Sequence, residues 1–326
     1  MKSFAFPRAL LAASAVVLGL GLSPAAHAQV PADKPIRLVV PYAPGGNVDS
    51  AARIIAPGLS QALRRTVVVE NRAGAGGMIA GEAVAKSTPD GTTLLVSSNG
   101  PVLHSPLIYG KPVYDWKKDF VPVGSVSFTP MVLLAGRSVK EPTLKDVIAA
   151  SRSRKISLAT PGAGSTNHLA AELLQMDQAV AFNLVHYKGT APANVDLLGG
   201  HVDLSFDQIS VAMPHVKQGT LRALAVTTPK RVPQWPDVPT FEEAGIKGFD
   251  VATFVGVFAP AGTPPDTVRQ ISEALAGVLR DKAVVEKFDV LGADARAMPP
   301  GEFRTYLLRE DERWLPVIKK ADIRIN

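Results

Sequence analysis

The chain has 326 residues, 35 Lys and Arg against 29 Asp and Glu, a formal net charge of +6, and no cysteine. The lack of thiols excludes disulfide staples, thiol catalysis and Cys-ligated zinc. The basic excess is scattered (Arg64-Arg65, Lys117-Lys118, residues 152–155, Lys319-Lys320), without the aromatic interleaving of a nucleic-acid face. It reads as solvated surface, suited to anionic ligands, with no nucleic-acid partner.

Lys2 and Arg8 are the only charges before an apolar run over residues 9–22, and Ala26-His27-Ala28 follows as an A-x-A box. The run is too short for a membrane anchor and ends in a cleavage site. A secretory signal peptide is therefore expected over residues 1–28, cut after Ala28, leaving a soluble chain outside the cytoplasm. Without Lys2 and Arg8, 33 basic residues face 29 acidic ones, a net +4. A mature chain of this length exceeds one ordinary core and allows two domains.

Strand, turn and helix then alternate. Residues 36–40 form a strand, and Val48, Ala52, Ile55, Leu59 and Leu63 mark the inner face of a helix. Pro57 is expected to kink or break it. A short strand (66–69), a loop (71–77), a helix (78–86), the turn Pro89-Asp90-Gly91 and a buried strand (93–96) follow. After a stretch containing Pro and Tyr, residues 131–135 are apolar again. The second half repeats the grammar: helix 143–151, strand 155–159, helix 167–175, strand 182–186, helix 192–198 ended by Gly199-Gly200. Strand 202–206, helix 212–217 ended by Gly219 and strand 221–226 complete it. Residues 254–258 read as a strand returning toward the first domain. Thr263-Pro264-Pro265-Asp266 opens a capped helix, Leu291-Gly292 breaks the pattern, and residues 300–320 form a last amphipathic helix. This alternation predicts an α/β fold of mostly parallel sheets flanked by helices.

Two loops share one design. Tyr42-Ala43-Pro44-Gly45-Gly46-Asn47-Val48-Asp49 and Pro161-Gly162-Ala163-Gly164-Ser165-Thr166-Asn167-His168 each join a strand to a helix. A Gly-rich loop opening a helix presents free N–H groups and the positive dipole end, a site for phosphate or carboxylate. In open parallel sheets ligands bind beyond the carboxyl ends of strands. Ser97-Ser98-Asn99, residues 186–190 with Thr190, and Phe206-Asp207 lie at such ends too, so all are expected to line one cleft between two domains.

These residues form a series. Lys34-Pro35-Ile36-Arg37 leads into the Pro44-Gly45-Gly46 loop. Val69-Glu70-Asn71-Arg72 with Gly74-Ala75-Gly76-Gly77 follows, then Asp90-Gly91, Gly162-Ala163-Gly164-Ser165 and His168-Leu169. Tyr187-Lys188-Gly189 with Ala191-Pro192-Ala193, Leu197-Leu198-Gly199-Gly200, residues 221–226, residues 236–240 and residues 259–264 complete it. In this order, over essentially the whole mature chain, it resembles the Bug, or TctC-like, receptors of tripartite tricarboxylate transporters. The resemblance implies a two-domain periplasmic-binding-protein-like fold with two crossing strands. It implies one domain of residues 29–130 plus 252–326 and a second of residues 131–251, and a monomer as the default. It further implies a periplasmic receptor that closes on a small carboxylate and delivers it to an integral-membrane permease, without cofactor or metal. Carried over, the carboxylate is held largely by backbone N–H groups and waters at Ala43, Pro44, Gly45, Gly46 and Asp49, and at Gly164, Ser165, Thr166 and Asn167. Residues 175–183 lack the Ala-Gly usual at that point.

Each position also has a plainer reading. Gly45 and Gly46 could be a tight turn; Asp49 suits a helix cap better than contact with an anion, which it would repel. Ser165, Thr166 and Asn167 could simply cap a helix. Gly76 belongs to a loop without the Lys-Ser/Thr of a phosphate cradle, so it is a pocket wall or a turn. Asp207 could hold a ligand ammonium group, and Tyr42 could wall the site. Ser165, His168 and Asp207 suggest a triad, but there is no G-x-S-x-G elbow, and no H-x-x-x-H pair suggests zinc. Dicarboxylate, amino acid and aromatic acid all remain open as ligands. A sensor kinase in place of the permease, or a hydrolase or transferase using the cleft, are the alternatives.

Overall fold

The computed structural model describes Met1, residues 34–110 and residues 112–324. Apart from Met1, the expected signal peptide lies outside the described residues. Among them, no helix is long and apolar enough to cross a membrane.

The first body opens with β1 (Ile36–Val40), α1 (Asn47–Leu63), β2 (Val67–Asn71), α2 (Met78–Ala85) and β3 (Thr93–Ser97). β1 pairs in parallel with β2 on one side and β3 on the other. Leu38 and Val40 point to one face and Val39 to the other, the period-2 alternation of a strand. Both faces are covered, and all three side chains are buried. Ala52, Ile55 and Leu59 of α1 join Leu38 and Val40 in one cluster. Met78, Ala80 and Val84 of α2 join Val39 in another. α1 continues through Pro57, whose ring is exposed. The next residue, Gly58, lets α1 approach a later helix: a Cβ there would meet Val278 at 2.8 Å.

A π-helical turn, Gly100–His104, leads into the short helices α3 (Ser105–Ile108) and α4 (Trp116–Asp119). Then comes β4 (Phe120–Ala135), far longer than its apolar end at residues 131–135 suggested. Residues 120–130 pair antiparallel with β9 (Ala252–Pro260), and residues 131–135 with β7 (Leu204–Gln208). The change of partner falls at Pro130, which has no N–H to give a ladder. β4 thus carries the chain between two sheets, and Val251-Ala252 brings it back.

The second body holds α5 (Leu144–Ser151), β5 (Ser157–Thr160), α6 (Thr166–Gln178), β6 (Asn183–His186), α7 (Thr190–Gly199), β7, α8 (Ile209–Lys217) and β8 (Arg222–Val226). β5 is parallel to β6 and β7, while β8 pairs antiparallel with β4. The curled path runs β2-β1-β3-β9-β4-β7-β5-β6, parallel in both wings and antiparallel at the crossing strands. The chain ends with α9 (Pro265–Arg280), α10 (Lys282–Val290), β10 (Asp294–Ala295) and α11 (Pro300–Lys320). Phe303 and Leu307 of α11 pack in the first body. Trp314 and Ile318 further along the same helix join the core of the second, so α11 spans both.

Phe206, Phe241 and Phe249 stack in that second core, with ring centroids 4.2 Å apart for Phe241 and Phe249 and 5.9 Å for Phe206 and Phe241. Phe241 is 1% exposed. Phe241→Ala therefore leaves a cavity between two rigid rings and should cost about 3–5 kcal/mol. Urea unfolding of the ligand-free protein, followed in the far ultraviolet, should show the midpoint fall.

Candidate functional site

Four helices begin at one place. Gly46 caps α1, Ser165 caps α6, Gly189 caps α7 and Gln208 caps α8. Each follows the carboxyl end of a strand, and the curl of the sheet turns these ends toward one another. Between them lies a small cavity of about 20 Å³ lined by Tyr42, Gly46, Asn47, Val48, Ser98, Pro161, Thr166, Asn167, Thr190, Gln208 and Thr253. None of these side chains is charged. Positive potential in the cavity comes from helix starts, whose first N–H groups have no partner inside the helix.

The two bodies touch around it. Ala43 N–H donates to Lys188 O across the cleft at 3.0 Å. A Cβ on Gly100 would lie 2.8 Å from Ser165 Cα, and one on Gly76 would lie 2.5 Å from Ala163 O. Only residues without a side chain permit this approach, and at Gly76 the φ of +59° favours glycine as well.

Hydrogen bonds fix the lining. Gln208 Nε2 donates to both Asn167 Oδ1 and Thr253 Oγ1 at 3.0 Å, and Asn167 Nδ2 donates to Phe206 O at 2.6 Å. Tyr42 Oη and Ser98 Oγ lie 3.4 Å apart. Burial pushes the Tyr42 phenol up to about 12 against the opposing bond to Ser98, so it stays a donor at neutral pH. Asn47 Nδ2 and Thr166 Oγ1 are buried without a hydrogen-bond partner. Unmet buried donors are costly and rare in folded proteins, so their presence in a cavity wall marks where an acceptor fits.

Of the residues singled out in the sequence, Tyr42, Gly46, Ser98, Thr166, Asn167 and Thr190 are together in this wall. Gly76 lines an adjoining space of about 240 Å³ that shares Tyr42 and Pro161 with the cavity. Others stand behind it. Pro44 and Gly45 are exposed, and a Cβ on Gly45 would lie 3.5 Å from Ala191 Cβ in α7. Asp49 accepts from Gly45 N–H (2.9 Å), Arg53 Nε (3.0 Å) and Asn71 Nδ2 (2.9 Å), so both carboxylate oxygens are committed to shaping the loop. Burial raises its pKa, but these partners outweigh burial and hold it below the usual range. Ser165 Oγ accepts His168 N–H at 3.1 Å, and His168 Nδ1 accepts Gly164 N–H at 3.0 Å. The Ser and His are thus bound into the helix start rather than set as nucleophile and base. Asn47, Val48, Pro161, Gln208 and Thr253 were not singled out. Asn47, Val48 and Pro161 sit inside the two loop motifs already recognised, whereas Gln208 and Thr253 are placed by strand pairing alone.

The chain belongs to the family described as the tripartite tricarboxylate transporter family receptor, TctC, whose profile matches residues 51–323. The members of this family are periplasmic solute-binding receptors. The sequence is 37% identical over 300 residues to Protein BugT of Bordetella pertussis, covering 90% of this chain and 91% of that one. The structure of R. palustris Rpa4515 with adipate superimposes with a TM-score of 0.86 at 34% identity, covering 90% of this chain and 98% of the other. That of MatC (Rpa3494) from Rhodopseudomonas palustris with bound malate gives 0.83 at 32% identity, covering 88% and 99%.

Asp207, at the end of β7, is wholly buried and lies behind the cavity rather than in its wall. It accepts from Asn194 Nδ2 at 2.8 Å and from Gln208 N–H at 2.7 Å, tying the start of α7 to that of α8. Burial raises its pKa from 3.8 to about 7, more than the two bonds lower it. A carboxyl group with a raised folded pKa favours the native state below pH 4, and that contribution is lost as pH rises through about 7. Asp207→Asn abolishes this titration. Thermal midpoints should therefore place the variant above the parent at pH 8, with the gap closing toward pH 4.

Proposed function

We propose that this protein is exported, its leader cut after Ala28, and captures a small organic carboxylate in the periplasm for delivery to an integral-membrane permease. The observation that carries this reading is the meeting of four helix starts from two domains at one uncharged cavity with unpartnered donors. A carboxylate supplies acceptors for several N–H groups at once, and the helix dipoles favour its charge. Asn47 Nδ2 and Thr166 Oγ1 add side-chain donors, and Tyr42 and Val48 exclude water.

Capture proceeds by hinge closure. β4 and β9 are the strands on which the bodies swing, and the cavity exists only when both halves of its wall are together. Malate and adipate bound to two relatives of the same fold support a small carboxylate as ligand, with a dicarboxylate as the leading class. A few charge-assisted bonds in a closed site give an affinity of roughly micromolar, near −8 kcal/mol. No chemistry follows, since the Ser165, His168 and Asp207 side chains are engaged in caps and backbone bonds.

The test is a thermal-shift screen of protein that has been unfolded and refolded to strip bound ligand, against mono-, di- and tricarboxylates, amino acids and aromatic acids. An acid at a hundred times its dissociation constant adds about 2.7 kcal/mol and moves the midpoint by several degrees. No shift with any acid would return the cavity to an unassigned site.

Gly46→Val probes the site directly. Even a Cβ at residue 46 would lie 3.6 Å from Thr190 Oγ1, so the added methyls must enter the cavity or wedge the loop from α7. Titration calorimetry should show binding weakened tenfold or more while the protein stays folded; unchanged affinity would remove Gly46 from the site.

A further inference from the structure

The inference deepens the carboxylate reading above and rests on it. Asn47 is the first residue of α1, and its side-chain oxygen is held from two directions. Ser210 Oγ, on α8 of the second body, donates to Asn47 Oδ1 at 2.7 Å. Thr129 Oγ1, on β4 where it is about to change sheets, donates at 3.2 Å. All three residues are buried. As the amide is placed, Oδ1 faces both hydroxyls, which donate to it. The other end, Nδ2, can only donate, and it has no partner.

We propose that Ser210 is a positioning residue that makes the Asn47 donor conditional on domain closure. With the cleft closed, Ser210 and Thr129 together lock Oδ1, and Nδ2 is presented to the ligand carboxylate. With the cleft open, Ser210 departs with its body, Thr129 alone holds the amide, and Nδ2 loses its fixed direction. The ligand bond and the interdomain bond then reinforce each other through one planar amide, in the way that linked hydrogen bonds polarise and orient one another. Closure is selected by the ligand because only the closed form offers this donor in place. Of the other links between the bodies, Ala43 N–H to Lys188 O joins backbone to backbone and orients no side chain, and Gln208 Nε2 to Thr253 Oγ1 reaches the crossing strand β9.

The test uses the refolded mature protein with adipate, malate, succinate and glutamate as probes, in calorimetry and in stopped-flow tryptophan fluorescence. Ser210→Ala should weaken the acid that binds the parent by about tenfold, the scale of one lost hydrogen bond in a buried site. The loss should fall on the dissociation rate, because the closed complex is what the bond holds together. The ligand-free unfolding midpoint should stay near that of the parent. Ser210→Thr, which keeps the hydroxyl, should restore affinity and residence time. Asn47→Asp, which presents a carboxylate where the amide donated, should abolish binding of every acid on the panel. If Ser210→Ala does not fold, Ser210→Cys, a similar volume with a weak donor, takes its place with the same expected loss.

Parent-like affinity and dissociation rate in the Ala variant overturn the inference. So does a loss confined to the association rate, or a Thr variant as weak as the Ala one. A parent protein that binds none of the four probes and none of the acids in the thermal-shift panel overturns the carboxylate reading itself, and the role of Ser210 falls with it.

Discussion

The physical constraint on which the proposed function depends is the neutralisation of an anion without a cation. No Lys, Arg or His lines the cavity itself, Lys188 and His186 bordering only the adjoining space, so on this reading the charge balance comes chiefly from backbone dipoles. One helix start supplies about half an elementary charge, and its effect fades within a turn. Several must therefore meet at one point. A single sheet cannot do this, because its helices start side by side along one edge. Two sheets facing each other can, and the curled path from β2 to β6 is the arrangement that sets the edges face to face. The long β4 and the returning β9 are the cost in chain length of that geometry.

The same constraint explains where the chain tolerates no side chain. Gly76, Gly100 and Gly189 lie where one body presses on the other, and a Cβ at each would fall within 3.0 Å of the opposite wall. Dipoles act over short distances, so the closed cleft has to be tight for them to count. Excluding water serves the same end, since each N–H bond to an anion is stronger where no solvent competes. α11 bears on the proposed swing: Phe303 is anchored in one core and Trp314 in the other, so a hinge closure of the kind proposed would have to bend or slide this helix as well as the strands.

Much of this was legible in the sequence, for identifiable reasons. The wings of the sheet follow from alternating apolar runs such as Ile36, Leu38 and Val40, punctuated by Gly and Pro, and local pattern carries that signal. The two glycine loops announced the helix starts of α1 and α6. The extent of β4 was not legible, because Pro122, Gly124 and Pro130 interrupt its pattern while its pairing partners lie in distant sequence. Nor was the π-helical turn at residues 100–104, whose shape is set by what packs on it. In the site, Thr166, Asn167, Tyr42 and Ser98 could be read from loop position. Gln208 and Thr253 could not, since only the register of the strands brings their polar groups to the cavity. Asp49 and Asp207 show the opposite case. A carboxylate near an anion site attracts attention in the sequence, yet here each serves as a fastening whose oxygens point into the protein.

A division of labour follows from the chemistry of the wall. Backbone N–H groups are the same whatever side chain they carry, so the part of the cavity built on helix starts suits a carboxylate and would tell little about what is attached to it. Discrimination must come from groups that substitution can change: Gln208, Thr253 beside it, and the Tyr42 ring, which with Pro161 bounds the adjoining space. A fold organised in this way keeps its hold on the charged end of a ligand while the walls around the other end diverge. A wall lined with Lys or Arg would hold the anion more strongly, but it would also bind any anion in an open cleft and resist releasing it. Neutral dipoles that work only when assembled tie the strength of the grip to closure, which is the property a receptor needs in order to let go.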